Sequence, residues 1–380
     1  RTPNAPEGIK GISLFLVPKI LPHNDGTLDK KNNVKCGSIE KKMGIKASPT
    51  CVMHYEDAKG WLVGDLNKGM KAMFIMMNGA RLFVGIQGIG LSEIAFQSSL
   101  NYAKERVQGK LPESENIADP IIVHPEIRKN LMFMKSMNDG IRGLMIKAGH
   151  AFDLIDTDQN QELSESSENL IALLTPILKS FATDKSMEIT NQAMQIYGGH
   201  GYITDHGMEQ LVRDARITPI YEGTNGIQAL DLIGRKFNIH DGLIINQYLD
   251  DINRFLNEHK DNSKMDKFIK LFEPSYSDLK DCINFIKEIE LKNSKEINSH
   301  AVDFLNIFAL VAVGFTWLQF IEISLNKTEK NNDDFYFSKI QLGEFYLTKV
   351  IFETQKYKNN IYTSGKLYND FEDKYFESGI

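Results

Sequence analysis

The 380-residue sequence predicts a mainly α-helical protein with a partial β domain at its start. Three observations carry this. Short β-branched and apolar runs crowd into residues 9–64, many of them cut off by Gly, Pro, Asn or Asp. From about Asn67 the apolar residues take up a helical repeat, and no proline interrupts residues 67–107. Amphipathic stretches then follow one another to about residue 360, with Lys and Asn near their junctions.

Taken in order, ISLFLV, NVKCGSIEKKMG, TCVMHYED and WLVGD read as short strands. The first helix should span about 67–107, with Met73, Met77, Ala80 and Val84 on one face. Gly85, Gly88 and Gly90 weaken its propensity but allow a close helix crossing, and Met70, Met73, Met76 and Met77 read as adaptable core. Pro125 suits the first turn of a second helix, through MFMKSMNDGIRGLMIKAGHAFDLI. Residues 153–169 hold six acids and no base, a solvated loop or helix end. A third helix, about 168–197, should stop at Gly198-Gly199. Thr224 is a good N-cap type ahead of the apolar series Ile227, Leu230, Ile233.

Beyond residue 240, INQYLDDINRFLNEH, MDKFIKLFE and LKDCINFIKEIELKN read as helices. The window 304–323 is the most apolar. Its longest unbroken run, 307–315, is shorter than the roughly 18 residues of a membrane span, so it reads as a buried helix. The expected division is a partial β domain over 1–66, a helical bundle over 67–240 and a helical extension over 241–380. An apolar β run this close to Arg1, with no earlier partner, makes us expect a piece of a longer protein.

Composition narrows the function classes. Apolar residues at 42% and charged residues at 25% are ordinary for a soluble globular chain. A net charge of -6 offers no global attraction to nucleic acid or an anionic membrane. Cys36, Cys51 and Cys282 are scattered, with no CxxC, which suggests neither a disulfide framework nor a zinc site. A reducing, cytoplasmic setting fits most simply. His200 and His206 lack a common helical ligand spacing, and no metal is expected.

The stretch ITPIYEGTNGIQALDLIGRK, 217–236, sets Glu222 just outside a helix N-terminus. Alone, a carboxylate there is usually a cap or dipole partner; otherwise it is a base. Arg106 alone reads as a solvated helix-end arginine beside Glu105 or Asp119, GGHGY as a helix stop, and Asn78 as a satisfied buried amide as often as a ligand contact.

Together, four segments change that judgement: SLFLVPK with EKKMGIKASPTCVM, NGARLFVGIQG with NYAKERVQGK, QIYGGHGYITDHGMEQLVRDARI, and YEGTNGIQ. In order, spacing and residues they resemble the acyl-CoA dehydrogenase family over roughly residues 1–240. The C-terminal region looks like the longer branch of that family, which includes 3-methylmercaptopropionyl-CoA dehydrogenase.

The resemblance implies an acyl-CoA dehydrogenase-like helical bundle and FAD-dependent removal of hydrogen from the α and β carbons of an acyl thioester. It makes Glu222 the α-proton base and Gly223 a substrate-contacting residue whose missing side chain permits close approach. Burial by substrate and flavin should raise the Glu222 pKa toward neutrality. Thr224, Asn225 and Gly226 fall where the family meets FAD, Gly226 standing where Gln is common. Arg106 matches the arginine on the FAD pyrophosphate. Gln108 follows it, although the family's RxxFGK form is one residue longer. Gln195 and Gly199 match the QxxGG segment at the flavin nucleotide of a neighbouring subunit. Asn78 and Arg81 match acyl-CoA contacts, where Asp often replaces Asn78. The implied partners are acyl-CoA, an electron-transfer flavoprotein and further copies of the chain, as a dimer or tetramer. The family's first helical domain and the β half that stacks on the flavin ring are expected upstream of Arg1. Two alternatives stay open: an acyl-CoA oxidase, and a catalytically silent helical interaction fragment.

Overall fold

A computed structural model describes residues 1–157, 160–292, 296–328, 333–363 and 365–378. The chain divides into two compact units, Arg1–Phe83 and Val84–Ile380.

In the first unit six short strands pair two by two: β1 (Leu14–Leu16) with β6 (Trp61–Val63), β2 (Ile20–Pro22) with β3 (Leu28–Lys31), and β4 (Val34–Ile39) with β5 (Cys51–Tyr55), all antiparallel. Phe15 faces Leu62 across the first pair, and β4 bulges between Cys36 and Ser38. Gly37 sits in that bulge, where a Cβ would strike the His54 ring. Most strand residues are exposed. Buried Asn32 ties the ribbons together: its side-chain nitrogen donates to Pro18 O at 2.9 Å and Lys59 O at 2.8 Å, while its oxygen accepts from Lys59 N at 3.0 Å. The β2–β3 hairpin was not among the strands expected, yet Asn24-Asp25-Gly26 between them is a hairpin-turn signal.

Helix α1 (Gly69–Glu105) begins in this unit and continues into the second, within the span expected of it. None of the four methionines expected as core is buried: Met76 is 64% exposed, and Met70, Met73 and Met77 are half-buried. The second unit adds α2 (Pro125–Thr157), α3 (Gln161–Tyr197), α4 (Met208–Ala215), α5 (Asn225–Asp231), α6 (Leu243–Glu258), α7 (Asp266–Lys292), α8 (Ala301–Thr328), α9 (Asp334–Phe345), α10 (Glu353–Tyr362) and α11 (Lys366–Asn369). Pro125 opens α2, and Gly198 closes α3 at φ +59°. Helix α3 starts seven residues before the expected 168. Asn160 caps it by accepting from Glu162 N at 3.0 Å and Leu163 N at 3.4 Å, and Glu162 favours its N-terminus. The acidic stretch is therefore two helix ends; residues 158 and 159 lie outside the described residues. The segments expected as separate helices around MDKFIKLFE and LKDCINFIKEIELKN form one helix, α7, through Pro274.

Helix α8 is the centre of this unit and lies against α2, α3, α5, α7, α9 and α10. By length and composition both α1 and the helix 297–328 could cross a membrane, but 83% of the latter's apolar window is buried inside the protein, against 33% for α1. Gly140 and Gly143 of α2 let α8 come close: a Cβ at Gly140 would lie 2.6 Å from Val313 Cγ1. Trp317 of α8 is fully buried and donates its indole N–H to Ser136 O at 3.2 Å. Gly85 and Gly88 of α1 do mark a tight crossing, since a Cβ at Gly88 would lie 3.0 Å from Ala182 O on α3. Gly90 does not; a Cβ there meets open space, because that face of α1 turns away.

Candidate active site

The segment between α4 and α5 makes a compact turn. Tyr221 N donates to Ile217 O at 3.1 Å and Asn225 N to Pro219 O at 3.0 Å. Between them the backbone takes two successive left-handed residues, Glu222 at φ +57° and Gly223 at φ +86°. Glycine accepts that conformation freely. For glutamate it costs about 1–2 kcal/mol, which the surrounding structure has to repay.

The surroundings do so from three sides. From α3, the ammonium of Lys179 donates to Gly223 O and to Asn225 Oδ1, each at 2.8 Å, with Lys179 wholly buried. From α5, Gln228 Nε2 reaches Glu222 O at 3.4 Å and Gly223 O at 3.3 Å. From α1, Gln87 accepts the Tyr221 hydroxyl. Burial holds the Tyr221 phenol above its ordinary range, and the nearby Glu222 charge adds to this, so tyrosine stays a neutral donor.

Thr224 caps α5, its hydroxyl accepting from Ile227 N at 3.4 Å, as its residue type predicts. The buried face of α5 differs from the expectation. Ile227 is 50% exposed and Leu230 37%, whereas Gln228, Ala229, Leu232 and Ile233 point inward. The cause is the anchoring of Asn225 to α3, which sets the rotation of the helix. Its amide nitrogen donates to Ser180 O at 3.2 Å, Thr183 Oγ1 at 3.0 Å and Asp184 Oδ1 at 2.7 Å. Asp184 reaches solvent at its edge, yet the protein around its carboxyl raises its pKa, opposed by the Asn225 hydrogen bond and by Lys179, Lys185 and Arg216. The Asn225 side chain is thus engaged within the protein. Gly226 is open: a Cβ there would find nothing nearer than Thr224 Oγ1 at 4.0 Å.

A second group assembles where α1 ends. Arg106, Gln108 and Gly199 line one pocket of about 390 Å³ with Tyr102, Tyr197 and His200. Tyr102 stacks on Tyr197 at 4.1 Å and its hydroxyl meets His200 Nδ1 at 2.8 Å. Among the described residues nothing pairs with the exposed Arg106 guanidinium. Asp119, a partner suggested by sequence, is taken by Leu111 N, Ser114 and Asn116. A Cβ at Gly198 or Gly199 would meet nothing within 4 Å, so a ligand can approach their backbone. An unpaired guanidinium beside open glycine backbone fits a pyrophosphate group. Gln195 is exposed on the last turn of α3, two residues before this pocket's Tyr197.

Asn78 and Arg81 belong to the first unit, on α1. Asn78 is exposed, unlike the buried amide that was one reading of it, and Arg81 is 8% exposed and engaged. The supports of the turn, Lys179, Gln228 and Gln87, were missed from sequence. A signal existed for one: Lys179 and Thr183 fall one turn apart in the largely apolar run LIALLTPILKSFAT.

Sequence comparison matches this architecture to known proteins. Residues 67–237 match the profile "Acyl-CoA dehydrogenase, C-terminal domain", and residues 248–370 match "Acetyl-CoA dehydrogenase C-terminal like". The chain belongs to the acyl-CoA dehydrogenase family. It is 44% identical over 243 residues to 3-methylmercaptopropionyl-CoA dehydrogenase of Ruegeria pomeroyi, a match over 64% of this chain and 41% of that protein. It is 28% identical to a butyryl-CoA dehydrogenase of Syntrophomonas wolfei, over 92% of this chain and 60% of that protein. Thus it spans between 41% and 60% of the length of these curated relatives. Solved structures share the fold: Caenorhabditis elegans ACDH-11 in complex with C11-CoA has a TM-score of 0.77 at 20% identity, covering 99% of this chain and 59% of that one. A Bacillus anthracis acyl-CoA dehydrogenase complexed with FAD has a TM-score of 0.70 at 21% identity, covering 89% of this chain and 59% of its own.

Proposed function

We propose that this chain carries the base and part of the flavin-binding surface of an FAD-dependent acyl-CoA dehydrogenase. The observation that carries the reading is the Glu222–Gly223 turn, a carboxylate held in a left-handed conformation by a buried lysine and a buried glutamine. Such strain persists where the surrounding structure over-determines it, and it clusters at active sites.

The chemistry follows from the residues. The α C–H of an acyl thioester is weakly acidic, so a carboxylate set against it can take the proton as charge moves onto the thioester oxygen. The β hydrogen leaves with its electron pair, and the carbon–carbon bond becomes double, giving a 2-enoyl-CoA. FAD, when bound, supplies the acceptor for that hydride. Arg106, Gln108, Gln195 and Gly199 would hold the pyrophosphate end of the cofactor, with Thr224, Asn225 and Gly226 near its ring end. For Asn225 that contact would come from the backbone, since its amide is engaged with α3. Asn78, Arg81 and Gly223 would contact acyl-CoA. An electron-transfer flavoprotein would collect the electrons, and the enzyme would work as a homo-oligomer, as the family resemblance implies.

The test is Glu222→Gln in flavin-loaded protein. Turnover of an acyl-CoA should fall by at least about 10²–10⁴-fold while flavin absorbance is retained. Undiminished turnover with bound flavin would overturn the assignment.

A further inference from the structure

We infer that a cavity walled by α2, α3 and α6 is a second binding site, built for a small monocarboxylate with an apolar chain, its carboxylate held by the Lys147 ammonium and the Tyr248 hydroxyl. The described wall residues are shared with neither the Glu222 turn nor the Arg106 pocket. On α3 the wall ends at Leu170, nine residues before Lys179, or about 13 Å along the helix axis.

The cavity holds about 470 Å³, within the range of small-molecule sites. Two polar groups in its wall lack partners. Tyr248 on α6 is 2% exposed, and its hydroxyl is buried with no hydrogen-bond partner among the described residues. The ring packs against Phe308 at 5.6 Å and edge-on to Phe315 at 6.3 Å. Phenylalanine would fill that place without stranding a hydroxyl, and an orphaned buried hydroxyl is costly. Lys147 on α2 sets its ammonium 5.4 Å from the Tyr248 ring centroid and 5.3 Å from that of Phe315. No hydrogen bond or ion pair reaches this ammonium among the described residues. Burial lowers the Lys147 pKa against the pull of Asp251, and burial followed by the Asp251 charge raises that of the Tyr248 phenol. Both are donors in want of an acceptor.

The rest of the wall selects the ligand class. Asp251 pairs with Arg254 at 3.2 Å, and Asp250 adds a further negative charge. A dianionic phosphate would meet these acids with one unpaired ammonium to offset them, and a cationic ligand would meet that ammonium itself. A carboxylate carries a single charge and two oxygens, one for each waiting donor. Around the donors, Leu154 of α2, Leu163 and Leu170 of α3 and Ile244 of α6 offer apolar surface. Leu163 keeps 37% of its surface exposed there, area that an alkyl chain would take out of water. Charged head and apolar body thus each find a matching part of the wall.

Octanoate is the probe, with octan-1-ol and octylamine as its neutral and cationic analogues, each titrated into the full chain and followed by NMR. Octanoate should bind with a Kd of about 1 mM or tighter, and the two analogues at least about tenfold more weakly. Lys147→Gln should weaken octanoate at least about tenfold and Tyr248→Phe about three- to tenfold, while octan-1-ol changes less than about twofold in either. Lys147→Arg, which keeps the charge, should restore octanoate to within about threefold of the parent. Tyr248→Phe removes a hydroxyl that bonds to nothing in the protein, so its fold is safe and it decides the matter even if Lys147→Gln misfolds. Three results would overturn the site: equal affinity for the three probes, parent-like octanoate binding in Tyr248→Phe or in a folded Lys147→Gln, and no octanoate binding at about 10 mM. None of these readouts passes through Glu222, so the base assignment and this site stand or fall separately.

Discussion

The two tryptophans of the chain occupy opposite environments. Trp61 lies on β6 in a two-stranded ribbon and is 41% exposed, its ring flanked by the Lys59 ammonium at 5.4 Å. Trp317 lies on α8, is fully buried, and has Gly140 of α2 and Gly343 of α9 packed against it. Both sit in apolar sequence. A ribbon of two strands offers a residue one neighbour across the pair and no second layer, whereas a helix at the centre of a bundle is covered on every side. Apolar character alone therefore does not make a core position; the number of elements around it does.

The largest effect should come from breaking that contrast at the tryptophans. Trp317→Ala should cost about 3–5 kcal/mol of unfolding free energy, with the indole N–H bond to Ser136 lost as well, while Trp61→Ala should cost less than about 1 kcal/mol. Denaturant unfolding of the two variants checks this, and equal losses would mean that the ribbon has a cover. A smaller effect should appear at high pH. Burial pushes the Cys282 thiol and the Tyr276 phenol up to about 12, and burial followed by Glu353 does the same for Tyr357. These groups are neutral in both states below about pH 7.5. Above it the unfolded chain ionises the cysteine first and then the tyrosines, so stability should decline progressively from about pH 8 toward 12. A denaturation midpoint that holds steady between pH 8.5 and 11 would contradict the burial of α7.

The smallest effect separates the regions by thiol chemistry. Cys36 is exposed on β4, and Cys282 is buried on α7. At pH 8 an aromatic disulfide reagent should label Cys36 within minutes and reach Cys282 only in denaturant. Cys51 should lag behind Cys36, because a hydrogen bond with Cys36 and then burial raise its pKa. Rapid labelling of Cys282 in the native protein would place α7 in a loosely packed region.

Much of the fold was open to reading in the residues themselves. Pro125 at the first turn of α2, Gly198 after α3 and Thr224 before α5 are local devices, and each acts through a few neighbouring residues. The β2–β3 hairpin escaped because β2 is only Ile20-Leu21-Pro22 and β3 is mostly charged, although its turn was marked. The two helices expected around MDKFIKLFE and LKDCINFIKEIELKN are one: Pro274 lies between those strings, but packing against α8 and α10 carries α7 through it. The candidate site divides in the same way. YEGT is recognisable as a string, as are the arginine of YAKERVQGK and the double glycine after α3. That Arg106, Gln108 and Gly199 line one pocket is a result of helix packing, since about ninety residues separate them along the chain.

Local chemistry in the sequence settled the family, the helical order and the turn that carries Glu222. Those depend on short-range backbone preferences and on motifs that survive as contiguous strings. Tertiary packing alone decided which face of α5 is buried, and it brought Lys179 beneath Gly223, 44 residues further on. It also left Arg106, at the rim of a pocket, without a partner among the described residues. A buried cation becomes tolerable only once carbonyls from a distant turn are delivered to it. No local preference encodes that delivery, so no reading of either segment alone could contain it.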